Sequence, residues 1–268
     1  MSIPAQSRVL ITGAGSGLGL ALVHQLVERG GRVLATDVHS ETPEPLRGLA
    51  QVTYRKLDVT QDVDWATARD WVTEEWDGLD YLFNNAGVAA GGRIELTEMD
   101  QWQWIVDINL LGVARGCRTF TPMLKAQRSG HIVNTASAAG LIHPPRMSEY
   151  NAVKAGVVAL SETLLHELKP FGVQVSVVCP TFFKTNLTES LRGKDEAARQ
   201  SAAKLDRPVD RDRRPDRSCR DPRRREEPAH HLDRPQRASR LRRQTVRTSA
   251  VLPDDGQGLD ADEQEGLT

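Results

Sequence analysis

The chain has 268 residues and a mass of 29.6 kDa, room for one large α/β domain or two small ones. Hydrophobic residues make up 39%, enough for a core, and no apolar run approaches the roughly 18 residues of a membrane span, so a spanning helix is excluded. The formal net charge of −1 excludes no polyanion partner, because more than half of the arginines fall between Arg207 and Arg247 while Asp254 to Thr268 carry only acidic charge.

The elements follow in chain order. RVLITG (8–13) is a β-branched run ending in glycine, as a buried parallel strand does. Leu18 to Arg29 has helical spacing, and Gly30-Gly31 stops it. RVLATD (32–37) is a second strand and VTYRKLDV (52–59) a third. Residues 62–76 read as an amphipathic helix that buries Trp65, Trp71 and Trp76 against a sheet. LDYLFNNAG (79–87) is a fourth strand with its exit turn. Thr97 to Lys125 reads as one helix with Asp100 as a cap, HIVNTAS (131–137) as a fifth strand, Ser148 to Lys169 as a long helix, and GVQVSVVCP (172–180) as a sixth strand. Strands alternating with helices demand right-handed crossovers and a parallel sheet covered on both faces, which predicts a doubly wound, Rossmann-like α/β fold.

The composition then changes. Every Phe, Trp and Tyr lies between Tyr54 and Phe183, and no Ile follows Ile142. Residues 1–205 are therefore expected to form the folded domain, and residues 206–268, rich in Arg and Pro and then acidic, to be disordered, because they cannot bury enough apolar surface to offset backbone ordering. Two origins for this tail stand open. One is a shifted reading frame near residues 204–208, since aromatic-free Arg/Pro/Asp text is what a GC-rich gene gives out of frame. The other is a genuine arm for a polyanion, against which stand the interspersed Asp206, Asp210, Asp212, Asp216 and Asp221 and the absence of stacking aromatics. No nucleic-acid partner is expected. Cys117, Cys179 and Cys219 are scattered and odd in number, so neither a disulfide framework nor a metal site is expected. With no signal-like N-terminus, a cytoplasmic protein is the expectation.

The turn Thr12-Gly13-Ala14-Gly15-Ser16-Gly17-Leu18-Gly19 lies between the first strand and its helix. Missing Cβ atoms at Gly13, Gly15, Gly17 and Gly19 let a diphosphate approach the backbone, and the N–H groups of Ser16 to Gly19 open a helix with partial positive charge. A Gly-rich turn alone is weak evidence. Directly after a buried strand it points to a dinucleotide. Asp37 ends the second strand, where a carboxylate accepts hydrogen bonds from ribose hydroxyls and repels a 2′-phosphate, although it could also simply start a turn. Neither Ser16 nor Val38 offers a cation for that phosphate, so NAD(H) is preferred over NADP(H).

Tyr150 and Lys154 stand at i and i+4 of one helix, on one face. A nearby ammonium favours phenolate, which gives an acid/base able to exchange a proton with an alcohol or carbonyl oxygen. Such a pair alone is common at surfaces. Ser137 at the end of the fifth strand changes the weighting, because ligands bind at strand carboxyl ends in such sheets.

TGAGSGLG (12–19), Asp58-Val59, NNAG (84–87), Asn109, NTAS (134–137) and YNAVK (150–154) together resemble the short-chain dehydrogenase/reductase family over residues 7 to about 187. The resemblance implies Tyr150 as catalytic acid/base, and Lys154 as the group that lowers its pKa and binds the nicotinamide ribose. It implies that Ser137 orients the substrate carbonyl and that Asn109 holds a helix kink and a relay water. Asp58 and Val59 would touch adenine, Asn85, Ala86 and Gly87 would line the adenosine side, and Thr185 would contact the carboxamide. It further implies a small alcohol or ketone substrate, a homo-oligomer, and a mobile substrate segment from Phe182 to about Leu205. His143, Pro144 and Met147 would line the pocket. The chain departs from the family at Pro180-Thr181, where Pro-Gly is usual, and in having no text for the usual seventh strand. A catalytically impaired or non-enzymatic nucleotide-binding relative is therefore the alternative.

Overall fold

The computed structural model describes residues 3–181 and residue 195. Six parallel strands form one sheet, β1 (Arg8–Thr12), β2 (Arg32–Asp37), β3 (Val52–Lys56), β4 (Tyr81–Asn84), β5 (His131–Thr135) and β6 (Gln174–Val178), in the spatial order β3-β2-β1-β4-β5-β6. The helices are α1 (Gly17–Glu28), α2 (Asp62–Trp76), α3 (Met99–Val106), α4 (Gly112–Gln127), α5 (Ala139–Ile142) and α6 (Ser148–Leu168). The strand order reverses between β1 and β4, and a crevice opens there at the strands' carboxyl ends.

The two-residue period of a strand explains how both faces are covered. Leu10, Leu34, Leu82 and Ile132 turn to one face and pack with Trp65, Phe120 and Leu124 from α2 and α4. Val9, Ile11, Val33, Ala35, Phe83 and Val133 turn to the other and pack with Val23 and Leu26 of α1. The strands are thus apolar on both sides, as expected for a parallel sheet between helix layers. Trp65 is held edge-on to Phe120 at 6.4 Å, and its indole N–H donates to the Val59 carbonyl at 3.1 Å. Trp65 and Trp76 are buried as expected, and Trp71 is partly buried against Trp76.

Three expectations need correction. The segment Thr97 to Lys125 is two α-helices joined by a π-helical turn, Asp107–Leu111, so the chain is wound one residue wide at Asn109. The cap of α3 is Glu98; Asp100 lies inside the first turn, where its carboxylate accepts the Gln101 N–H at 2.6 Å. The third strand ends at Lys56, because the Asp37 carbonyl takes the Leu57 N–H and the Asp64 carboxylate takes that of Asp58, turning the chain into α2. The expectations for Thr185, for the segment from Phe182, for a seventh strand and for the tail lie outside the described residues.

His131 opens β5 at the end of the sheet away from the crevice, 5% exposed, with its Nε2 2.8 Å from the Ser176 hydroxyl. Burial pushes its imidazole down to about 4. The folded state holds it neutral while the unfolded chain binds a proton near 6.5. Stability present above about pH 6.5 is therefore lost as pH falls toward 4, by roughly 2–3 kcal/mol at pH 4.5. Urea denaturation at pH 7 and 4.5 checks this: His131→Gln should flatten the pH dependence, and an unaltered slope would count against it.

Candidate active site

The crevice is built from the ends of β1, β2, β4 and β5. Gly13, at φ +64, leaves β1 with no room for a side chain, since a Cβ there would lie 2.7 Å from the Ala86 Cα. Thr12 ties the two crossovers together: its hydroxyl accepts the N–H groups of Asn85 and Ala86, each at 3.0 Å. The Asn85 amide returns donors to the Thr12 and Gly13 carbonyls at 3.0 and 3.3 Å. Gly19 sits so close to Gly13 that a Cβ would overlap the Gly13 carbonyl oxygen. The helix start is thereby pressed against the strand end.

The Gly-rich turn fits a dinucleotide. Ser16 caps α1 in extended geometry without a side-chain cap bond, and the first turn carries no acidic residue. The helix N-terminus thus keeps its positive end facing the crevice, uncompensated by any carboxylate of its own first turn. Gly17, at φ +52, faces open space. Asp37 closes the turn from the side: its Oδ2 accepts the Gly15 N–H at 3.0 Å and its Oδ1 the Val38 N–H at 2.8 Å. Asp58 turns one carboxylate oxygen toward Thr60, accepting its N–H at 2.9 Å and its hydroxyl at 2.8 Å. Val59 lines a narrow recess with Thr12, Asn84, Ala86, Ile108, Gly112 and Val113.

Ser137, Tyr150, Lys154 and Asn109 converge at the mouth beyond β4 and β5. The Tyr150 ring packs with Ala90, Ile105, Ala139 and Val153, and its hydroxyl meets the Ser137 side chain. The Ser137 hydroxyl oxygen also accepts the Ala139 N–H at 3.2 Å. Lys154 is 4% exposed; its Nζ donates to the Thr135 carbonyl at 2.9 Å and lies 5.8 Å from the Tyr150 ring centroid. The Asn109 amide is fully buried and pairs both ways with Val88, accepting its N–H at 2.8 Å and donating to its carbonyl at 2.9 Å. Gly87 fits between Asn109 and Lys154, where a Cβ would lie 3.2 and 3.5 Å from their side chains.

The electrostatics differ from the expected lowering of the phenol. Burial raises the Tyr150 hydroxyl above its usual value, and the Ser137 hydrogen bond offsets only part of that. Burial also pushes the Lys154 ammonium down to about 8. The ammonium is committed to the Thr135 carbonyl rather than to the phenol, so the free protein holds Tyr150 as a neutral acid.

Two contributors had escaped the sequence reading. Gly140, on the short helix α5, lets that helix rest on α6 behind the lysine, because a Cβ there would lie 2.6 Å from the Lys154 carbonyl carbon. Val88 anchors Asn109 through backbone atoms, which carry no sequence signature. Thr12 stood in the glycine motif, but its bridging role was invisible without β4 beside it.

A sequence model of the family described as short chain dehydrogenase matches residues 7–196. A 3-oxoacyl-(acyl-carrier-protein) reductase of Thermotoga maritima is 32% identical over 198 residues, covering 72% of this chain and 79% of that protein. A 3-alpha-(or 20-beta)-hydroxysteroid dehydrogenase of Mycobacterium bovis is 34% identical over 182 residues, covering 67% and 70%. Among solved structures, a short chain dehydrogenase/reductase from Burkholderia phymatum in complex with NAD superposes with a TM-score of 0.73 at 34% identity, covering 78% of this chain and 82% of that one. No described helix is long and apolar enough to cross a membrane. With a doubly wound sheet, a glycine-rich nucleotide turn and a family match across most of its length, this chain belongs to the short-chain dehydrogenase family of oxidoreductases.

Proposed function

We propose that the protein is an NAD(H)-linked reductase and dehydrogenase that moves hydride between nicotinamide and a secondary alcohol or ketone, with Tyr150 passing the proton. The observation that carries this reading is the buried Tyr150, one helical turn before the buried Lys154 on α6, with the Ser137 side chain beside its hydroxyl past the carboxyl end of β5. The named activities of the Thermotoga maritima and Mycobacterium bovis relatives, on oxoacyl and hydroxysteroid groups, support a carbonyl or hydroxyl carbon as the reacting centre.

Bound in the crevice, the nicotinamide would donate or accept the hydride. The side chains handle the oxygen. The Ser137 hydroxyl donates to the substrate carbonyl, polarising it, and the neutral Tyr150 hydroxyl gives its proton to the same oxygen as the alcohol forms. Lys154 supplies positive charge near the phenolate left behind and a donor for the nicotinamide ribose. Asn109, fixed on Val88, holds the π-turn that faces Lys154 across Gly87. Asp58 and Val59 take the adenine side with Asn85, Ala86 and Gly87, and Thr185 the carboxamide.

The preference for NAD(H) rests on Asp37. Its carboxylate stands beside Gly15 at the turn, where a ribose 2′-hydroxyl would donate to it and a 2′-phosphate would meet like charge. Asp37→Ala should weaken NADH binding about 10–100-fold, since a hydrogen bond to a charged group is worth about 1.5–3 kcal/mol, and should narrow the gap to NADPH. Fluorescence titration of both reduced nucleotides reads this directly. Unaltered NADH affinity in the variant would overturn the cofactor assignment.

A further inference from the structure

The loop between Ser137 and Tyr150 runs through two left-handed residues, neither of them glycine: His143 at φ +50 and Arg146 at φ +64. His143 also precedes Pro144, a position that favours extended backbone. Such a conformation persists only where its surroundings over-determine it, and loops of this kind cluster at ligand sites. His143 closes α5 as its left-handed cap, its N–H donating to the Ala139 carbonyl at 3.2 Å, and three further hydrogen bonds hold the rest of the loop. The Gly92 N–H donates to the Arg146 carbonyl at 2.8 Å, the Asn151 N–H to the Met147 carbonyl at 2.8 Å, and the Asn151 side-chain Nδ2 to the Pro144 carbonyl at 2.8 Å. Gly92 also pairs with Met147 as an isolated β-bridge.

Asn151 is the one side chain among these fasteners. It is 8% exposed, and its Oδ1 is buried without a partner among the described residues. Turning the amide over would set oxygen against the Pro144 carbonyl oxygen, so the orientation is fixed by the donor. The residue is therefore placed for its N–H, at the expense of an orphaned oxygen. Because Asn151 follows Tyr150 on α6, the fastening locks the loop to the same helical turn that carries the phenol. The loop ends at Met147, which packs against the Tyr150 cluster, and it begins beside Leu141 and Ile142, both exposed.

We infer that Asn151 is a positioning residue that sets the substrate-facing wall beside Tyr150 by holding the strained His143–Met147 loop through its side-chain N–H. The inference rests on the oxidoreductase reading only for its effect on substrate; the fastening itself does not depend on it. Loss of the donor should release the loop and raise KM for the carbonyl substrate. NADH affinity should stay the same, because the glycine turn on β1 is built from other elements.

The test compares wild type with Asn151→Asp, which keeps the shape but sets a carboxylate against the Pro144 carbonyl, and with Asn151→Ala should the first fold poorly. Hydrogen exchange by mass spectrometry on the full chain should show the amides of His143 and of residues 146–149 exchanging about tenfold faster or more, with β1 and β4 unchanged. With acetophenone and 2-octanone as probes and NADH as reductant, KM should rise about fivefold or more with kcat within about twofold. Wild-type exchange in both variants would overturn the proposal. So would faster exchange with an unmoved KM, or with NADH affinity lost in step, because either marks a merely structural amide. A wild type that binds NADH but reduces neither ketone would count against the proposed activity, and the exchange result would still decide the fastening.

Discussion

Tyr150→Phe should lower kcat for ketone reduction by about 10²–10⁴-fold, the usual worth of a positioned general acid, while NADH affinity and thermal stability stay near wild type. The ring remains in its cluster with Ala90, Ile105, Ala139 and Val153, so the substitution removes only the hydroxyl facing Ser137. Steady-state rates and an NADH titration on the same preparation separate chemistry from binding. The pH profile adds a sign. Burial keeps the phenol protonated through neutral pH, so reduction finds its acid in place, whereas alcohol oxidation needs the phenolate and should quicken as pH rises. Lys154 loses its proton near 8, so its help to the phenolate fades above that value, and reduction should fall across the same range. A Tyr150→Phe enzyme turning over at the wild-type rate would mean the proton travels by another route.

Gly19→Ala should be the most damaging single-methyl change in the nucleotide turn. The new Cβ would overlap the Gly13 carbonyl oxygen and sit 2.7 Å from the Asn85 amide nitrogen, so backbone must move. Overpacking of this kind costs about 1–3 kcal/mol and occasionally more, and here it pushes the α1 N-terminus off the strand end. NADH affinity should fall by more than about tenfold, because donors displaced by a fraction of an ångström no longer converge on a diphosphate. Gly17→Ala is the informative contrast. That position has φ +52 but open space around it, so the cost is the left-handed conformation alone, about 1–2 kcal/mol. Thermal denaturation and NADH titration should rank Gly19→Ala well below Gly17→Ala; the reverse order would show that close approach of α1 to β1 is not what Gly19 serves.

The parts legible in sequence were those that depend on short-range pattern. Val9 and Ile11 alternate with Leu10 in a run apolar on both sides, which fixes a buried parallel strand before any partner is known. Glycine spacing after that strand marked the nucleotide turn, and the i, i+4 relation put Tyr150 and Lys154 on one face. The family resemblance placed a helix kink at Asn109, but residue pattern alone did not show the π-turn. Asp107–Leu111 has ordinary helical composition, and the extra residue is accommodated only because the Asn109 amide finds both backbone groups of Val88 from another element. Asp100 looked like a cap because an aspartate before an apolar run usually is one, yet the entry from the Ile94–Leu96 turn set the cap two residues earlier, at Glu98.

The amino-acid sequence by itself determined the strand–helix alternation, the glycine-rich turn, the shared helix face of Tyr150 and Lys154 and the family, all properties of residue type at fixed spacing. Tertiary structure alone decided the state of that pair. Whether an ammonium lowers a phenol depends on what else each group touches, and packing gave Lys154 to the Thr135 carbonyl and buried both groups away from water. It also decided that Asn151 serves the loop rather than the helix, since a hydrogen bond between residues 144 and 151 exists only once the chain has turned back through two left-handed residues.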